Sequence, residues 1–223
     1  MHPHRGIETI SYVSRGKMVH RDSLGNEAGI SDGEVQWMNS GSGIMHEEMV
    51  PAAERLLGVQ LWLNLPAKDK MSKPSYNSIK NEDIKEIEIE GGKIRLLAGK
   101  YGEHEGYKGD YLSMDYYDIH LNADAEVTLT MEEDDSVMVF TLLGDVYIDG
   151  EHIEEKTAVK LTEGDSLTIK NGNEKAQVLY MNSRALNEPV AWAGPIVMNT
   201  QEELQKAFLE LRSNTFIKET AEY

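Results

Sequence analysis

Cysteine is absent from this 223-residue chain, so it has neither disulfide staples nor thiolate metal sites, and any metal must rest on His, Asp or Glu. Positive charge is scarce. The 22 Lys plus Arg stand against 39 Asp plus Glu, and the formal net charge of -17 repels a phosphate backbone. No Lys/Arg cluster interleaved with aromatics offsets that balance, so no direct nucleic-acid partner is expected and the acidity serves solubility. Long hydrophobic runs are missing too. The longest, residues 56–65, is interrupted by Gly58, Gln60 and Asn64 and falls far short of the roughly 20 residues a membrane helix needs. The opening Met-His-Pro-His-Arg has no apolar segment of a secretory leader, and a cytoplasmic location without a membrane partner is expected. Phosphate-loop, dinucleotide-binding and nucleophile-elbow patterns do not occur. The acidic run Glu132-Glu133-Asp134-Asp135 lacks the Gly and distal Glu of a calcium loop and reads as a solvated turn.

Strand signals dominate what is present. Residues 7–13, 34–38, 59–65, 84–90, 93–97, 111–121, 126–131 and 136–143 are short runs rich in β-branched or aromatic residues. Turn formers such as Ser31-Asp32-Gly33, Gly91-Gly92, Asp149-Gly150 and Asn171-Gly172-Asn173 separate them. That rhythm predicts an all-β sandwich or barrel. The loop-rich stretch 66–83 breaks it and divides the chain into modules 1–80 and 81–223. One helix is predicted, with Asn199 or Thr200 as N-cap, Glu202 and Glu203 in the first turn, and Leu204, Phe208 and Leu209 forming an apolar stripe. It is expected to seal a barrel end as part of the second module. Gly144-Asp145 and the run from Glu163 to Ile169 echo the turn and strand pattern of the first module without a His-x-His, so the second module is expected to be metal-free.

Chemistry is concentrated in two patches, His2-Pro3-His4-Arg5-Gly6-Ile7-Glu8 and Gly43-Ile44-Met45-His46-Glu47-Glu48-Met49. Alternation along a strand puts His2 with His4, and His46 with Glu48, on one side each. If the strands meet, imidazole nitrogens and a carboxylate converge as a first shell for Fe(II), Mn(II), Ni(II), Cu(II) or Zn(II), with positions left open for substrate. Spacing alone does not choose between Glu8 and Glu48 for the carboxylate, whereas Glu47 points away from His46. His20, His104 and His152 read as loop or turn histidines, and His120 as a satisfied core or edge histidine. Met45 and Met49 flank the candidate ligands, with core packing as their plain role and a pocket wall as the alternative.

These residues resemble the pirin family of the cupin superfamily. The likeness runs through His2 to Thr9, Gly33-Glu34-Val35-Gln36-Trp37-Met38, the His46 patch and Gly58 to Leu65, then Lys70-Met71 with Pro74 and Tyr76, Gly144 to Ile148, Gly164-Asp165-Ser166, and Gly194 to Thr200. It implies two cupin-type β-barrels (jelly-roll, or double-stranded β-helix) in tandem with a short C-terminal helix. Fe(II), or another divalent first-row metal, would sit in the N-terminal barrel on residues matching His2, His4, His46 and Glu48. The resemblance selects Glu48 over Glu8 as ligand, and Glu48 is also the candidate catalytic base. It further implies a dioxygenase of the quercetin 2,3-dioxygenase type, with a flavonol or similar aromatic enediol and O2 as substrates. The alternative it carries is a non-catalytic, iron-binding redox sensor that binds a protein partner. Two departures stand out. Family members carry a segment before the His-Pro-His motif, and this sequence begins one residue ahead of it: either the start lies further upstream, or those strands are missing and the first barrel is incomplete, with frayed ligands and edges that invite association; a monomer or weak homo-oligomer is expected. Ser42 also stands where the family usually has Arg.

Overall fold

The computed structural model describes residues 1–162 and 164–219; Glu163 of the echo motif lies outside the described residues. Strands account for 54% of the chain, with a single C-terminal helix. The chain forms two compact units, the first made of Met1–Asn81 with the segment that begins at Leu186, the second of Glu82–Ala185. Among the described residues no helix is long and apolar enough to cross a membrane.

In the first unit the strands are β1 (His2–His4), β2 (Ile7–Arg15), β3 (Lys17–Asp22), β4 (Glu27–Ser31), β5 (Glu34–Asn39), β6 (Ile44–Met49), β7 (Leu57–Asn64) and β8 (Ser75–Ile79). They build two antiparallel sheets, in the orders β1-β6-β3-β4 and β7-β2-β5-β8. β2 is buried along nearly its whole length, while β7 alternates between half-buried and exposed positions, as expected for a strand with one solvated face. Ile7, Ile10, Val35, Trp37, Met38 and Ile44 are buried in its core. β3, β4 and β8 were not expected. β8 lies inside the stretch read as a loop, where Ser75 to Ile79 carry little hydrophobic signal but pair in register with β5.

The second unit contains β9 (Lys85–Ile89), β10 (Gly92–Ala98), β11 (Lys100–Tyr101), β12 (His104–Glu105), β13 (Met114–Leu121), β14 (Glu126–Thr130), β15 (Asp135–Leu143), β16 (Val146–Ile148), β17 (Glu151–Ile153), β18 (Ala158–Lys160), β19 (Ser166–Asn171) and β20 (Ala176–Arg184). Its main sheets run β18-β15-β20-β13-β10-β9 and β14-β19-β16-β17, enclosing Ile94, Leu96, Ile119, Val139, Val178 and Ile169. His120, on a strand paired on both sides, is bonded to the buried Asp118 at 2.9 Å, a satisfied histidine as the sequence suggested.

The chain then returns to the first unit with β21 (Ala191–Ala193), β22 (Ile196–Met198) and α1 (Gln201–Arg212). The helix was expected to seal the second barrel, and the structure corrects that. It packs on β21 and β22, with Leu204, Ala207 and Phe216 joining Ala191, Ile196 and Met198 in one cluster. Thr200 caps it through a reciprocal capping box with Glu203.

A buried side chain explains the attachment. The Arg5 guanidinium, 2% exposed, donates to the Ser42 carbonyl at 2.7 Å and the Phe216 carbonyl at 2.9 Å, pairs with Glu210 at 2.8 Å, and lies 4.2 Å over the Phe216 ring. Ser42, where Arg was expected from the resemblance, thus serves through its backbone. Beside it, Gly6 adopts φ +78° with Val197 O only 2.0 Å from where a Cβ would sit, so only glycine fits. Lys70 closes the same corner, donating to the carbonyls of Gly6 and Val197 and to Asn64 Oδ1. Replacing Arg5 with Leu is expected to cost about 3 kcal/mol, the low end for breaking a buried pair because Lys218 still neutralises Glu210. Urea unfolding measures it; a loss below about 1 kcal/mol would remove Arg5 as the anchor of the C-terminal segment.

Candidate metal centre

β1 lies at the edge of its sheet and pairs with β6 in the register His2 to His46, Pro3 to Met45 and His4 to Ile44. β3 pairs on the other side of β6, setting His20 opposite Glu48 and Asp22 opposite His46. Alternation then sends His2, His4, His46, Glu48, His20 and Asp22 to one face, and Met45, Glu47 and Met49 to the other. Met45 and Met49 therefore do not wall the site.

The structure brings three of the four expected ligands together. Ring nitrogens of His2, His4 and His46 lie within 4.8 Å of one another. His2 Nε2 and His4 Nε2 are 3.1 Å apart, and the His2 and His46 ring centroids are separated by 4.3 Å. His4 Nδ1 donates to the Pro195 carbonyl at 3.1 Å, which leaves its Nε2 as the lone-pair nitrogen of the neutral ring. His46 is fully buried and its Nε2 has no hydrogen-bond partner. A bare nitrogen at that depth, aimed into a cluster of other imidazoles, is the donor pattern a divalent first-row metal requires, so the residues fit the group. The expected fraying is answered by the pairing of β1 with β6 and by the Pro195 contact, which leave His4 2% exposed.

Glu48 stands outside the set of mutually close ligand atoms. Its Oε1 accepts from Gln36 Nε2 at 2.7 Å, Gln60 Nε2 at 3.0 Å and Ser11 Oγ at 3.3 Å, and its Oε2, among the described residues, from Gln60 alone. Those donors come from β5, β7 and β2 of the facing sheet. Glu8, the other carboxylate that spacing allowed, accepts instead from the Trp37 indole at 3.0 Å. The parity count failed there because the turn at Gly6 separates β1 from β2. Trp62 meets His4 edge-on at 5.2 Å and is 39% exposed, and His2 is exposed, so the site opens past these two rings.

His20 is the residue that sequence reasoning missed. Expected beside a turn as a solvated or locally hydrogen-bonded histidine, it is bonded locally to Asp22 at 2.8 Å but fully buried on a strand, and its Nδ1 lies 3.4 Å from His46 Nδ1. The available signal was the spacing His20-x-Asp22, which repeats the parity of His46-x-Glu48.

Residues 1–63 match the pirin family, and residues 116–217 match the Pirin C-terminal cupin domain. The chain belongs to the pirin family. It is 36% identical to the pirin of Homo sapiens over 95% of this chain and 75% of that one. A crystal structure of quercetin 2,3-dioxygenase from Acinetobacter baumannii superposes with a TM-score of 0.88 at 34% identity, covering 96% of this chain and 77% of that chain. The fold is shared, at TM-score 0.64 and 23% identity over 82% of this chain and 75% of that one, with the bacterial pirin YhhW of Escherichia coli, whose structure is a complex with nickel(II). The pirin-family cupin fold is thereby established for this chain.

Electrostatics keep two of the imidazoles neutral. Burial first, then the neighbouring His2, pushes His4 down to about 4 against the Pro195 carbonyl, which pulls the other way. Burial, then His2, His4 and His20, pushes His46 down to about 3. In the unfolded chain both take up protons near pH 6.5, so below that pH the unfolded state binds protons that the folded state refuses. Chelator-treated protein is therefore expected to lose stability as pH falls from about 6.5 toward 4. Thermal midpoints across that range, compared with those of a His46→Asn variant, check it; equal slopes would refute the assignment.

Proposed function

We infer that this pirin-family chain is a metal-dependent dioxygenase, with Fe(II) or another divalent first-row ion held by His2, His4 and His46 and completed by Glu48, acting on a flavonol such as quercetin or a similar aromatic enediol. The observation that carries the reading is the unpartnered Nε2 of a fully buried His46 among imidazoles that share one opening. The relatedness to the Acinetobacter baumannii enzyme supports the substrate class. When bound, the metal supplies Lewis acidity toward a substrate oxygen and a route for electrons between substrate and O2.

The protein's own groups do the rest. The exposed Trp62 face beside His4 offers a planar aromatic substrate a stacking surface at the entrance. The amides of Gln36 and Gln60 and the Ser11 hydroxyl fix Glu48 and load its Oε1 with donors, while Oε2 keeps acceptor capacity. Oε2 is the atom that takes the proton of a substrate hydroxyl.

Two measurements decide the function. Protein loaded anaerobically with Fe(II) is expected to consume O2 on addition of quercetin, and Glu48→Gln to lower that rate by about 10²–10⁴-fold with metal content falling far less. Iron binding without any O2 uptake would replace the dioxygenase reading with the partner-binding one. His4→Ala is expected to reduce bound metal well below one per chain by elemental analysis; full occupancy in that variant would remove His4 from the ligand set.

A further inference from the structure

His20 is committed at both ring nitrogens. Nε2 lies 2.8 Å from Asp22 Oδ2, Nδ1 lies 3.4 Å from His46 Nδ1, and the Tyr76 ring stacks on the imidazole at 4.2 Å with 15° between planes. Asp22 is fixed in turn. Its carboxylate accepts from the backbone N–H groups of Leu24 and Asn26 and from the Asn26 side-chain amide.

Only one proton arrangement satisfies all these contacts. A carboxylate accepts and does not donate, so the hydrogen between Asp22 and His20 sits on His20 Nε2. The neutral ring then has a lone pair at Nδ1, which must meet an N–H, and that hydrogen belongs to His46 Nδ1. His46 is left with a bare lone pair at Nε2. The opposite tautomer would place an N–H at His46 Nε2, where the residue is fully buried and, among the described residues, no acceptor lies within hydrogen-bonding distance. A doubly protonated His20 fails on the same ground, because it would turn His46 Nδ1 into an acceptor and force the hydrogen onto Nε2.

We propose that Asp22 and His20 are positioning residues that lock His46 in its Nδ1–H form, so that Nε2 is presented beside His2 and His4 as a ready donor. The use of that donor rests on the metal-centre reading above, whereas the tautomer is a property of the metal-free chain. His4 reaches the same state through the Pro195 carbonyl. One ligand is thus set by backbone and the other by a side-chain relay. Outer partners of this kind govern ligand orientation, and their loss typically costs 10–100-fold in metal affinity.

The test uses the full chain labelled with ¹⁵N at histidine. Long-range ¹H–¹⁵N correlation spectra of the metal-free protein assign the ring protons, and Zn(II) titration against a competing chelator gives affinity. In the unaltered protein His46 is expected to be protonated at Nδ1 and bare at Nε2. Asp22→Asn lets an amide donate to His20 Nε2, which reverses the chain of hydrogen bonds, moves the His46 proton to Nε2 and weakens Zn(II) binding about 10–100-fold. His20→Gln accepts from His46 Nδ1 with its carbonyl and donates to Asp22 with its amide, so it keeps the tautomer and holds affinity within about 10-fold. Should Asp22→Asn fail to fold, His20→Leu set against His20→Gln gives the same decision, with Leu losing the tautomer and Gln keeping it. A proton on His46 Nε2 in the unaltered protein, or an Asp22→Asn protein unchanged in tautomer and affinity, overturns the relay. An unaltered protein with the expected tautomer that binds no Zn(II) supports the relay and overturns the metal-centre reading alone.

Discussion

The register between a three-residue edge strand and β6 is the constraint on which the site depends. Setting His2 opposite His46 makes one sheet face carry every candidate ligand, and a slip of one residue would turn His2 and His4 outward and put Pro3 in their place. A strand so short cannot hold its own register by pairing alone. The neighbouring corner does it instead, where Gly6 admits the backbone of Val197, Arg5 donates to the carbonyls of Ser42 and Phe216, and Lys70 to those of Gly6 and Val197.

Around the imidazoles the structure grades its polarity. Nearest the cluster are nitrogens kept neutral by burial. One layer out, hydrogen bonds choose which nitrogen of His4 bears the proton, and the contacts of His20 reach His46 in the same way. Across the barrel, amides rather than cations hold Glu48, which restrains the carboxylate without neutralising it. The second unit repeats the two-sheet plan with an interior of Ile, Leu, Val and Tyr, and among its described residues no comparable histidine cluster forms.

Much of this was legible in the residues. Period-two alternation and turn chemistry located β2, β5, β7, β10 and β15 to within about two residues, because those strands are rich in branched and aromatic side chains. The parity of His2 with His4 and of His46 with Glu48 was equally readable. What escaped were elements whose support is tertiary. β3 and β8 carry Lys, Arg, Ser and Asn that look like loop, and become strands because β6 and β5 offer them edges. His20 was lost with β3. The helix was found with its cap but given to the wrong barrel, since nothing local in residues 200–212 reveals that a buried guanidinium near the other end of the chain receives its last turns.

That guanidinium sits one position after His4, and the carbonyl it grips at Phe216 is 211 residues away. Everything belonging to the second unit must be threaded between the two before they can meet. Loop-closure entropy rises only slowly with length, so the span itself costs little more than a short one, and the contact ties the two ends of the first unit together. A lesion near Phe216 is thereby felt beside the histidine strand at the opposite end of the sequence.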